Sequence, residues 1–173
     1  MELAAYEASL KAEFARLRFI DKRDDRFSKL IDGALRIVTL GGQSRYMTHY
    51  VTTIGQTIYL PTSWAERPET ERLITLRHEA VHLHQFRRFG IVLMSVLYLL
   101  PFFPLGLAYG RARLEWEAYA ETLRATRELR GLAAASALRP HITRQFTGPA
   151  YGWMWPFEGQ VHRWIDDVLA EAP

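Results

Sequence analysis

From Pro68 to Gly90 the apolar residues recur at helical spacing, with Leu73, Leu76, Ala80 and Leu83 on one stripe and His78, His82 and Gln85 on the stripe beside it. Pro68 suits a first helical turn. Glu66, Glu69 and Glu71 crowd the positive end, and Arg87 and Arg88 precede Gly90 at the other, so the pattern predicts a helix with both ends marked. Residues 1–19 place Leu, Ala and Phe at helical intervals among Glu2, Glu7, Lys11 and Glu13, predicting another helix. Ala34 to Leu40 reads as a β-branched strand punctuated by Gly41-Gly42. Tyr46 to Thr53 and Gln56 to Leu60 read as a hairpin turning near Ile54-Gly55 and ending at Pro61. A further helix is expected through Arg111 to Arg124, an Ala-rich helix end or short helix at 131–138 broken by Arg139-Pro140, and a final amphipathic helix from about Glu158 to Ala170. The expected class is α+β: a small antiparallel sheet packed on helices, in a single domain over residues 1–173.

The stretch from Gly90 to Gly110 carries no charged residue. By length it could span a bilayer, but Pro101, Pro104 and Gly106 interrupt it. Two readings follow: burial in the core, or a bent hairpin (residues 91–109) whose tip makes peripheral contact with a membrane or an apolar partner. The overall composition, 49% hydrophobic, favours burial.

Composition adds mainly exclusions. With no cysteine there is neither disulfide nor thiolate metal site nor thiol nucleophile. A net charge of +3, with arginines mostly beside acids, leaves no basic stripe for nucleic acid. The N-terminus lacks the basic start and unbroken apolar run of a signal peptide, so a cytoplasmic protein is expected, with peripheral contact to the inner face of a membrane as the variant.

Against this background His78-Glu79-Ala80-Val81-His82 stands out, an HExxH inside the predicted helix. Residues four apart lie one above the other, so both imidazoles can reach one ion, while Glu79 points at a water beside it. Such an ion, Zn2+ by its ligand types, needs a third protein ligand. On the next predicted helix Arg113, Glu117, Glu121, Arg124 and Glu128 form a stripe of alternating charge suited to solvent. Glu115 lies about 200° from Glu117, with Ala118, Tyr119, Thr122 and Thr126, where a carboxylate needs a partner. The wheel favours Glu115 as ligand, with Glu117 and a structural ion pair as alternatives.

The text Glu115-Trp-Glu-Ala-Tyr119, downstream of HExxH, resembles the ExxA[D/N] signature of the gluzincin metallopeptidases, including membrane-linked prenyl-protein and heat-shock endopeptidases and small minigluzincin-type proteins. The likeness covers roughly residues 33–130 and departs from the pattern at Tyr119. It implies a zincin-like fold, Glu115 as zinc ligand, and a peptide or protein substrate cleaved by an activated water with Glu79 as general base. It also implies an edge strand receiving extended peptide, for which Thr57 to Leu60 is the candidate.

The segment from Phe146 to Phe157 is dense in aromatics and either caps the core or lines a cleft. A zinc hydrolase needs a donor for its oxyanion, and Tyr151 and His141 carry suitable groups, with Tyr119 and His162 as further choices. Two rival functions remain: a gluzincin-like domain that binds a peptide, partner or membrane surface without catalysis, and a zinc hydrolase acting on another amide.

Overall fold

The chain takes an α+β arrangement in a computed structural model that describes residues 2–23, 50–99, 108–148 and 153–171. The expected strand at 34–40, the start of the strand at 46–53, and Tyr151 lie outside the described residues. The described residues divide into two compact units, 1–83 and 84–173.

In the first unit, helix α1 (Leu3–Glu13) buries Leu3 and Leu10 and stops at Phe14, whose N–H caps Leu10. Strand β1 (Arg18–Asp21) follows, then β2 (Thr52–Ile54) and β3 (Thr57–Leu60), which form the expected hairpin around Gly55-Gln56. The sheet order is β1-β3-β2. β2 runs antiparallel to β3, with Thr53 opposite Ile58, while β1 runs parallel to it, with Arg18 opposite Thr57. The sheet is therefore mixed, not antiparallel: the hairpin supplies only one pair, and β1 lies on the other side of β3. The same pairing corrects the peptide-edge assignment. Thr57 to Leu60 is the central strand, with its backbone groups engaged on both sides, and β2 is at the edge among the described strands. Lys22, fully buried just after β1, donates from Nζ to the Tyr50 carbonyl (2.8 Å) and Thr52 Oγ1 (3.0 Å), tying the end of β1 to the chain entering β2.

Helix α2 (Glu69–Leu99) begins directly after Pro68, as its start signals predict, with Glu69 and Glu71 in its first turn. Leu73, Leu76, Ala80 and Leu83 are all buried, so the apolar stripe read from the sequence is the inward one. At Gly90 the backbone leaves the helix, with φ 71° and ψ 166°, a region essentially restricted to glycine. Space is not the constraint there, since a Cβ would meet nothing within 4 Å. The helix thus consists of one arm at 69–89 and a second, apolar arm at 91–99.

In the second unit, α3 (Tyr109–Arg130), α4 (Leu132–Ser136), α5 (Arg139–Thr147) and α6 (Glu158–Ala170) enclose a core that includes Trp116, Leu123, Ile142, Phe146, Val161 and Ile165. Each such side chain contributes about 1.5–3 kcal/mol by leaving water. Met154 and Trp155 join this core, and Trp155 stacks on Trp164 with ring centroids 6.2 Å apart, so this part of the aromatic segment caps the core. Gly110, in the first turn of α3, lies so close to the apolar arm that a Cβ there would sit 2.7 Å from the Leu97 carbonyl oxygen.

Over residues 91–96 the structure departs from the expected burial, and residues 100–107 of the same uncharged stretch lie outside the described residues. Ile91, Val92, Leu93 and Val96 are exposed by 57, 75, 45 and 43%, and of this run only Met94 is buried. Hydrophobicity marks these residues as averse to water but does not provide a neighbour to cover them. No helix among the described residues is long and apolar enough to cross a membrane.

Candidate metal centre

His78 and His82 stand one turn apart on α2, with ring centroids 5.1 Å apart and planes at 74°, as the i,i+4 spacing requires. His82 is buried and His78 partly so. Glu79 is also buried, and its Oε2 accepts a 2.6 Å hydrogen bond from Thr53 Oγ1 on β2. Thr53 on β2, the edge among the described strands, thus holds the carboxylate that the sequence singles out as a candidate general base.

On α3 the helix faces separate as the wheel predicts. Glu117 is exposed and Glu115 is 2% exposed, on the side of the fully buried Ala118. Gln85 donates from Nε2 to the Glu117 carboxylate (2.8 Å) and the Leu114 carbonyl (3.0 Å), giving the alternative ligand a neutral amide partner. Glu115 Oε1 accepts a hydrogen bond from the Tyr98 hydroxyl. Tyr98 is held in turn by Arg111, whose Nε donates to the Tyr98 carbonyl at 2.6 Å and whose guanidinium lies 5.2 Å from the ring centroid. His78, His82 and Glu115 each offer one ligand atom, and these atoms all lie within 4.8 Å of one another.

The donor set suits a hard or borderline divalent cation: two imidazole nitrogens and a carboxylate oxygen, without sulfur. Around a tetrahedral ion with bonds of about 2.0 Å, ligand atoms stand about 3.3 Å apart. Three protein ligands also leave a fourth position for water or substrate, the pattern of catalytic zinc sites.

The other expected donors are placed as follows. His141, near the start of α5, keeps an exposed edge; partial burial first, then the neighbouring Arg144 charge, hold its pKa below the ordinary histidine value. Tyr119 packs its ring against Phe146 at 5.7 Å within the core of the second unit. His162 pairs with Glu158 one turn earlier on α6, at 3.6 Å. His84, which is not among those donors, is exposed, with its Nδ1 2.9 Å from the Arg87 guanidinium.

Sequence reasoning missed Thr53 and Tyr98. Thr53 had a faint signal as a hydroxyl in the predicted hairpin. Tyr98 had one as the only phenol in the aliphatic run from Ile91 to Leu100. Neither spacing identifies a partner, since the two bonds span 26 and 17 residues. Compared with family models, curated proteins and solved structures, the chain matches none.

Proposed function

We propose that this chain is a zinc-dependent hydrolase with a zincin-like centre, its ion held by His78, His82 and Glu115, and that it cleaves peptide bonds. The observation that carries this reading is the approach of the three ligand atoms to within 4.8 Å, two of them from an HExxH whose glutamate is buried and hydrogen-bonded. Peptide as substrate rests on the likeness of Glu115-Trp-Glu-Ala118 to the gluzincin signature.

Zinc at this position supplies a Lewis acid that lowers the pKa of water toward neutrality and polarises a carbonyl. The protein residues do the remainder. Glu79 takes the proton of the attacking water and passes it to the departing amine. Thr53 keeps the Glu79 carboxylate in one orientation through its 2.6 Å hydrogen bond. Tyr98 fixes the Glu115 carboxylate, as outer-sphere partners commonly do for metal ligands.

Elemental analysis of purified wild type beside His82→Ala and Glu115→Ala tests the centre. Near-stoichiometric zinc in wild type, lost in both variants, is expected; a wild type without zinc after zinc is supplied refutes the reading. Glu79→Gln should keep its zinc while losing cleavage of a peptide library, which separates an enzyme from a binding domain.

A further inference from the structure

The apolar arm of α2 presents Ile91, Val92, Leu93 and Val96 to solvent on a single short helix. At about 100° per residue these positions and the exposed Ser95 spread over roughly 200° of the circumference. A helix seated in a protein groove needs a narrower apolar stripe with polar flanks. Apolar side chains over more than half the circumference suit a medium that surrounds the helix, and acyl chains are such a medium.

Charge points the same way. From Ala80 through Leu114 the sequence has no aspartate or glutamate, while Arg87, Arg88, Arg111 and Arg113 bracket the uncharged stretch. Arg87, Arg88 and Arg113 are exposed. Apolar residues flanked by cations and free of acids are complementary to an anionic lipid surface, where the arginines meet headgroups while the apolar residues enter the acyl boundary. At 1.5 Å per residue the arm is about 14 Å long, half the roughly 30 Å hydrocarbon core, so it can dip into one leaflet and not cross.

We propose that the exposed face of residues 91–96 docks on an anionic bilayer surface, with Arg87 and Arg88 as its electrostatic contacts. The proposal is independent of the metal reading. Flotation of the full-length protein with vesicles of phosphatidylcholine alone, or with added phosphatidylglycerol, tests it. Binding to the anionic vesicles is expected, weakened by salt and reduced roughly fivefold for each of Arg87→Gln and Arg88→Gln. Val92→Glu should reduce it at least tenfold, and because Val92 is 75% exposed its thermal unfolding should match wild type. Wild type that stays unbound with both vesicle types, or Val92→Glu that binds like wild type, overturns the proposal. So does a dimer of the wild type in light scattering that Val92→Glu dissolves without any vesicle binding, which would assign the face to a second copy of the chain.

Discussion

Tyr98→Phe removes one oxygen atom and isolates what the phenol does for Glu115. The ring stays, and with it the packing against Arg111 and the bond from Arg111 Nε to the residue's carbonyl. What is lost is the hydrogen bond to a carboxylate only 2% exposed. Hydrogen bonds to charged groups are worth about 1.5–3 kcal/mol, and a buried acceptor deprived of its donor bears the full cost. Taking about 2 kcal/mol, and about 2–4 °C per kcal/mol for a chain of this size, the metal-free variant should unfold about 4–8 °C below wild type. Zinc affinity should fall about 10–100-fold, the usual consequence of losing a partner that orients a ligand. Calorimetry on metal-free protein reads the first effect, and competition against a chromophoric chelator the second. A midpoint within 1 °C of wild type would refute the claim that the phenol supports Glu115. A lowered midpoint with affinity within about twofold of wild type would keep that bond but remove Glu115 from the ligand set.

Gly110→Ala should destabilise by about 1–3 kcal/mol despite alanine's better helix propensity, because its Cβ would sit 2.7 Å from a backbone oxygen that cannot rotate away. Gly159→Ala, whose Cβ would meet only the Arg163 side chain at 3.9 Å, is the control and should be neutral or stabilising; equal melting shifts for the two would contradict the close approach. His141 has a lowered pKa in the folded protein, through burial and Arg144, so the unfolded chain takes up its proton first as pH falls. Its contribution is unchanged above the ordinary value of about 6.5 and stability is lost as pH drops below it, a loss that His141→Gln should remove from melting curves recorded between pH 7.5 and 5.

The parts of this fold legible in the sequence are those decided by local chemistry. Pro68 with its neighbouring acids, Gly90, and the limits of the last helix at Glu158 and Ala170 all mark ends that the structure keeps. The separation of Glu115 from Glu117 was also legible, because helical periodicity alone places one with Ala118 and the other with Arg113 and Glu121. Strand β1 was not: Arg18-Phe-Ile-Asp21 is too short to show a period, and its strand character comes from pairing with Thr57 to Leu60 some forty residues later. That same pairing turned the proposed edge into the centre of the sheet. The exposure of Val92 was hidden for a related reason, since an aliphatic run reads alike whether other side chains cover it or not. Tyr98 reaches Glu115 where α3 comes close to the arm at Gly110, a contact no spacing rule contains.

The break at Gly90 also makes this part of the chain modular. In an uninterrupted helix, removing one residue turns everything beyond it by about 100° against everything before. Because the backbone leaves helical dihedrals at Gly90, the apolar arm can be lengthened, trimmed or exchanged without altering the phase at which His78 and His82 project from residues 69–89. A descendant chain, or a designer, could therefore retune what the arm touches while leaving the HExxH turn as it is. The limit on such changes lies at the far end, where Tyr98 and Leu97 must still arrive at Glu115 and Gly110 in register.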